Sequence, residues 1–237
     1  MYLAAGGTLT PHSETFIDGV WYPSVSTIIG AQPKPWLQAW RDKWGARAER
    51  KMRIAAAIGT AFHDCVERYL DGDEWGTIEM FDYPSCGRRV AGMMKSFIAW
   101  AESVDGTIDH TELKVISRVH KYSGTFDAVG KIGRTHLLID WKTGSSIYSD
   151  MDLQLVAYAQ AYNEMTGSKI KDGLIVHVSK DKPHFKLKAK EFKLGKRVFK
   201  KFLKLREMFD DMVAAGNDVR VEAEANGIPS VSKDSAV

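Results

Sequence analysis

Residues 124–144 read GTFDAVGKIGRTHLLIDWKTG. Two extended runs, 125–132 and 135–142, flank Gly133-Arg134. Glycine first in a two-residue loop suits a type II′ hairpin. Counting outward from that turn pairs Ile132 with Thr135, Gly130 with Leu137, Ala128 with Ile139 and Phe126 with Trp141. This face is apolar and is expected on the core. The other face pairs Lys131 with His136, Val129 with Leu138, Asp127 with Asp140 and Thr125 with Lys142. The two aspartates are therefore expected to stand opposite one another, with Cβ atoms about 4.5–5.5 Å apart. Lys142 follows Asp140 on the same face, because side chains alternate along a strand.

Like charges directly opposite destabilise a sheet, and burying both as anions requires positive charge between them. A hard divalent cation meets that need, since carboxylate oxygens suit magnesium or manganese. A lysine beside such a site orients an attacking water or neutralises charge growing on a phosphate. The alternative is a surface hairpin with solvated charges, which a lone Asp-x-Lys does not exclude.

Composition sets the frame. The chain has 237 residues, 44% hydrophobic and 27% charged, as expected of one large globular domain with additions. No apolar run approaches a membrane span and no signal-peptide pattern opens the chain, so the expectation is a cytoplasmic protein without a membrane partner. Two cysteines, Cys65 and Cys86, are too few for a disulfide framework or a four-cysteine cluster. Net charge is +3, but residues 169–206 hold 14 Lys or Arg against 3 Asp or Glu. That asymmetry suggests a polyanion-facing region, the alternative being a solvated helix and hairpin face.

Around the hairpin, residues 1–20 read as loop. Residues 23–30 are a short β-prone run or a Ser-capped helical turn. Trp36, Trp40 and Trp44 recur every fourth residue and share one helix face, with Arg41, Lys43, Arg47, Arg50, Lys51 and Arg53 around them. Aromatics among basic residues can stack bases of a single strand. Core packing is the favoured reading, with one of the three tryptophans turned to a ligand. A helix over 54–70 places His63 and Glu67 one turn apart, with Gly59 one turn before His63. A lone helical histidine is usually structural; beside two aspartates His63 becomes a candidate third metal ligand. Residues 71–84 read as loop and 85–104 as helix. A strand over 108–119 carries Glu112, which joins the site or pairs with Lys131. After Lys142 comes a turn, then a helix capped at Ser149 or Asp150 and ended by Gly167. Gln154 and Tyr158 lie one turn apart on it. Residues 173–179 form a strand parallel to 135–142, buried on both faces. A turn over 180–183, a strand over 184–192 and a basic helix over 194–212 follow. Residues 215–237 have the composition of a disordered tail.

This order, with Gly59-x-x-x-His63, Gly124-Thr-Phe-Asp127, Asp140-Trp-Lys142 and Gln154-x-x-x-Tyr158, resembles the PD-(D/E)XK nuclease superfamily in its RecB-like branch. The stretch from Pro23, with the Leu37-x-x-Trp40 that follows, is similar to the N-terminal region of phage-type and mitochondrial genome-maintenance exonucleases. The resemblance spans about residues 22–180. It implies an α/β fold with a restriction-endonuclease-like core: helix, three antiparallel strands, helix, parallel strand. N-terminal helices and a C-terminal hairpin and helix are additions. The implied domain runs over 1–214, its core about 54–192 and its helical addition about 22–53. Metal ligands implied by the family are His63, Asp127, Asp140 and the Trp141 carbonyl, with Glu67 and Glu112 matching less firmly. Lys142 would serve the attacking water, and Gln154 and Tyr158 would hold the site and the DNA backbone. Trp36, Trp40, Arg41, Lys196, Lys200 and Lys204 are candidate DNA contacts. No proline precedes Asp127, a departure from the branch. The four cluster-binding cysteines of some relatives are absent, so no iron–sulfur cluster is expected. The implied activity is Mg²⁺- or Mn²⁺-dependent hydrolysis of DNA phosphodiester bonds, foremost by an exonuclease on single strands or ends in recombination, repair or replication. A recombination or single-strand-binding protein would be its partner, and a phage source is one guess from the resemblance. A structure-specific endonuclease and a catalytically silent DNA-binding module are the alternatives.

Overall fold

A computed structural model describes residues 15–73, 86–144, 146–148, 150–180 and 185–215. The loop expected over 71–84 lies mostly outside these residues, as does the start of the 184–192 strand and nearly all of the tail. Strands β1 (Thr15–Ile17) and β2 (Val20–Tyr22) form a hairpin that begins within the stretch 1–20 read as loop. Its turn is Asp18-Gly19, both with positive φ (50° and 74°), the type I′ geometry that Asp-Gly favours. Helix α1 (Val25–Gly30) settles the next ambiguity: the Ser24 hydroxyl accepts the Thr27 N–H at 3.0 Å. Helix α2 (Pro35–Trp44) starts on a proline, whose missing N–H costs nothing in the first turn. Helix α3 (Arg47–Leu70) begins seven residues earlier than the sequence reading, and α4 spans Gly87–Ser103. The three strands β3 (Gly106–Ser117), β4 (Tyr122–Ile132) and β5 (Thr135–Lys142) follow. Then come α5 (Met151–Thr166), β6 (Asp172–Val178), β7 (Leu187–Lys193) and α6 (Lys196–Ala214). Asp150 is the N-cap of α5 but makes no side-chain capping bond; Gly167 ends the helix at φ 73°.

The strands form one sheet in the order β3-β4-β5-β6-β7. Neighbours are antiparallel except β5 and β6, which the α5 crossover makes parallel. The two edges differ in form. β7 carries Lys188, Lys190 and Lys193, and β3 has a register shift between Ile108 and His110.

The β4–β5 turn has Gly133 at φ 56°, and pairing runs from Ile132–Thr135 to Ala128–Ile139, in the expected register. There the paired ladder ends. The expected pairs Asp127–Asp140, Phe126–Trp141 and Thr125–Lys142 are not formed. Phe126 packs with Val129 and Leu138 in one core cluster, whereas Ala128 packs with Leu137, Ile139 and Trp141 in another. Residues 126 and 129 share a face, so strict alternation breaks between them. The expectation of one core face and one site face is also corrected. Helices α1, α5 and α6 cover one face, α3 and α4 the other, and each face carries a buried apolar cluster.

Helix α5 lies between sheet and outer helices, so it is buried on nearly every side: Leu153, Leu155, Val156, Ala157, Tyr158, Ala159, Ala161 and Tyr162. Helix α2 is the opposite case. None of its residues is buried, which overturns core packing as the role of the tryptophan stripe.

Close approach of β3 and β4 requires glycine at position 130, where a Cβ would run into the Thr107 carbonyl oxygen and come within 2.9 Å of the Ile108 Cα. Neither neighbour is a movable side-chain end. Gly130→Ala should therefore lose about 1–3 kcal/mol in a urea titration. An unchanged midpoint would refute this packing of β3 on β4.

Candidate active site

Helix α3 presents Gly59, Thr60, His63, Asp64 and Glu67 to an open cleft of about 440 Å³. β3 adds Glu112 and β4 adds Asp127. His63 Nδ1 lies 3.5 Å from Asp127 Oδ1. One side-chain atom each of His63, Glu112 and Asp127 lies within 4.8 Å of the other two. Glu112 stands in the group, not beside Lys131, which faces Thr107 and His136. It takes φ 43° within a strand, a conformation that costs a non-glycine residue roughly 1–2 kcal/mol. Glu67 lines the cleft one turn farther along α3, outside that group.

β5 and α5 build the other half. Lys142 Nζ donates to Asp140 Oδ1 and to Gln154 Oε1, both at 2.9 Å. Gln154 Nε2 in turn donates to the Tyr158 hydroxyl at 3.2 Å. Asp140 Oδ2 lies 2.7 Å from the same Nζ, so both carboxylate oxygens contact the ammonium. The halves meet at the end of the paired ladder, where the Trp141 N–H donates to Asp127 Oδ2 at 2.6 Å. Thus Trp141, whose carbonyl the resemblance offers as a ligand, also fixes a carboxylate through its N–H. Its ring is clamped edge-on by Phe97 at 5.2 Å between centroids.

Two glycines of the motifs have steric reasons. A Cβ at Gly59 would lie 3.3 Å from Thr143 Oγ1, so the small residue lets α3 reach the end of β5. A Cβ at Gly124 would lie 2.5 Å from the Tyr158 ring. His177 is a positioning residue that the sequence reading missed. It pairs in register with Lys142, and its Nε2–H donates to the Gly144 carbonyl at 2.7 Å, pinning the turn after Lys142. A polar residue inside the apolar run GLIVHVS was its signal.

The remaining predicted contacts lie apart from both halves. Trp36 stacks on Tyr148, Trp40 leans on Trp44, and Arg41 is half-buried on α2. Lys196, Lys200 and Lys204 line a groove on α6 with Arg197 and Lys201.

Charge is distributed unequally. Burial works to raise the Asp127 carboxyl, but His63, Lys142 and the Trp141 N–H together hold it below its ordinary value. Burial lowers His63, and the Asp127 charge and contact outweigh it, leaving the imidazole raised. Asp140 is pushed up to about 6, by burial and by Asp127, against the pull of Lys142. Burial opposes the Lys142 charge, yet Asp140 and Asp127 more than compensate, so it stays cationic. Glu112 is raised to about 7 by burial and Asp127. It keeps an exposed surface, so protein atoms crowd it from the sides while its open edge faces the cleft. Burial also raises Glu67, with Asp71 and Asp64 adding to it. The His63 imidazole and the Glu112 and Asp127 carboxylates, converging on an open cleft, are a donor set that fits a hard divalent cation.

Neither a protein-family model nor a curated protein matches the chain. Solved structures similar to it include a protein of Eubacterium rectale described as a candidate exonuclease (14% identity, 75% of this chain and 69% of that one, TM-score 0.46). An alkaline exonuclease of Laribacter hongkongensis is another (11% identity, 86% of this chain and 93% of that one, TM-score 0.39). At that level of likeness the neighbours add nothing to the chemistry of the site.

Glu112 yields a test that needs no substrate. Its folded pKa of about 7 lies above the ordinary 4.5, so the fold is not penalised below pH 4.5 and loses stability as pH rises toward 7. In chelator, Glu112→Gln should melt above wild type at pH 8 and with it at pH 4. Saturating Mn²⁺ should raise the wild-type melt and raise that of the variant less. A variant that melts below wild type at pH 8 would show that the Glu112 charge is not held against repulsion. In element order and strand direction, the helix, antiparallel β3-β4-β5, crossover helix and parallel β6 follow the α/β order that the resemblance implied.

Proposed function

We propose that the chain is a divalent-metal-dependent deoxyribonuclease, acting as an exonuclease on single strands or DNA ends. The observation that carries this reading is Lys142, a half-buried cation held by Asp140 and Gln154 beside the His63–Glu112–Asp127 group. A binding module has no use for a lysine fixed in this way next to convergent carboxylates.

His63, Asp127 and Glu112, with Asp140 at their edge, would hold the cation, magnesium or manganese. When bound, it would supply Lewis-acid stabilisation of the negative charge that grows on the phosphate oxygens during in-line attack by water. The chain's own groups do the rest. An ammonium has three N–H donors. Asp140 and Gln154 take two of those on Lys142. The third is offered to the attacking water or to a phosphate oxygen. Because Lys142 is held charged, it acts as a donor and an electrostatic clamp, not as a base. A carboxyl raised toward neutrality, Glu112 at about 7 or Asp140 at about 6, is matched to take a proton from water at neutral pH. Gln154 and Tyr158 fix the lysine from behind.

Substrate affinity would come from phosphate contacts along α6, where five cations share one groove. DNA recombination, repair or replication is the setting this reading suggests.

Labelled single- and double-stranded oligonucleotides and a closed circle, each with Mg²⁺ or Mn²⁺, test the reading. Shortening of the linear strands without cutting of the circle is expected; no cutting of any substrate would sink it. Lys142→Ala should reduce turnover by about 10²–10³-fold while leaving DNA affinity largely intact. Near wild-type turnover would remove Lys142 from the mechanism. Each phosphate-contacting cation removed from Lys196, Lys200 and Lys204 should lower the log–log salt slope of binding by about 0.7–0.9. An unchanged slope would make α6 a solvated face.

A further inference from the structure

The α2 region departs from the economy of the rest of the fold. It buries nothing, yet it carries three tryptophans. Trp36 is 61% exposed, an unusual placement for the largest apolar side chain. Its ring does not stand alone. Tyr148, itself 43% exposed, lies nearly parallel to it, 14° between planes and 6.1 Å between centroids. Tyr148 belongs to the segment joining β5 to α5, six residues after Lys142. Six residues of extended chain reach at most about 20 Å, so the aromatic pair is tethered to the site.

The surroundings are cationic. Residues 34–53 hold seven Lys or Arg against two Asp or Glu. Lys51 sits over the Trp44 ring at 3.8 Å. The first half of α3 buries only Ala48; burial of its apolar face begins at Ile58. Arg47, Arg50, Lys51 and Arg53 are therefore exposed on a helix that leads straight to the cleft. From Arg53 to His63 is ten residues, about 15 Å of helix.

We propose that Trp36, backed by Tyr148, stacks an unpaired base of the substrate strand, and that the adjoining basic half of α3 follows its phosphates toward His63. The inference rests on the nuclease reading and narrows it: the strand is presented to the site single-stranded. A ring with one face backed and the other open is the geometry that base stacking needs, and every base offers a π-face, so the contact is sequence-tolerant. A base inside a duplex is already stacked and has no face to give. The cations select a polyanion over an apolar peptide as the occupant.

Anisotropy titrations in chelator separate this inference from the catalytic one, because no cleavage is required. The probes are a labelled single-stranded oligonucleotide, its blunt duplex, and the same single strand with abasic sites. Trp36→Ala should weaken single-strand binding by about 5–150-fold. It should leave duplex affinity unchanged, and Trp36→Phe should restore most of the loss. On the abasic strand, wild type and Trp36→Ala should bind alike. The melting temperature should not move, since Trp36 supports no core. Unchanged single-strand affinity, equal loss on single strand and duplex, or a loss that persists on the abasic strand would each overturn the proposal. Wild type that binds single strands through Trp36 but cuts no DNA with Mg²⁺ or Mn²⁺ would remove the nuclease reading and leave this site standing. Wild type that cuts DNA while Trp36→Ala binds as wild type would remove this site alone.

Discussion

A single hydrogen bond, from the Trp141 N–H to the Asp127 carboxylate, organises the site. In an uninterrupted hairpin a backbone carbonyl of β4 would continue the pairing. Here a charged side chain accepts at 2.6 Å, in the range of charge-assisted bonds. The substitution ends regular pairing at Ala128–Ile139 and turns Asp127 toward α3, while Asp140 stays with α5. The two aspartates thereby acquire separate partners, His63 for one and Lys142 for the other. Their mutual repulsion is not removed, as the raised Asp140 carboxyl shows, but it is divided between two faces of the sheet.

Those faces constrain one another. Lys142 is half-buried, and its ammonium is held by the buried carboxylate of Asp140. The clamp around it passes through Gln154 to Tyr158, and Tyr158 lies where only glycine at 124 leaves room. On the opposite face the Trp141 ring is packed by Phe97 and Trp100, whose helix also covers Leu137 and Ile139. Position 141 is thus fixed through its ring by apolar packing and through its N–H by a carboxylate.

Much of this was legible in the residues. Gly133-Arg134 set the turn and five cross-strand pairs, because loop length and glycine position determine hairpin register. The crossover made β6 parallel, and Gly167 ended α5, for equally local reasons. Departures arose where a side chain replaced a backbone partner. No pattern of hydrophobicity reports that Asp127 will take a main-chain N–H, nor that Glu112 will adopt positive φ opposite it. The α2 stripe misled for a related reason: helical spacing shows that Trp36, Trp40 and Trp44 share a face, but not whether another element covers it. Asp18-Gly19 is a different case, since a strong turn signal lay between strands of only three residues.

The edges of the sheet have a bearing on how copies of the chain meet. An exposed outer strand is a template for a neighbour's strand, and pairing of that kind begins aggregation. Along β7, a second β7 laid alongside would bring the ammonium groups of Lys188 and Lys190, which share one face, against those of its neighbour. On the far side, the register shift of β3 and the positive φ of Glu112 break the repeat that a partner strand would have to match. The irregularity that shapes the cleft also denies the sheet a straight border, so the backbone distortion at Glu112 guards against intermolecular strand addition.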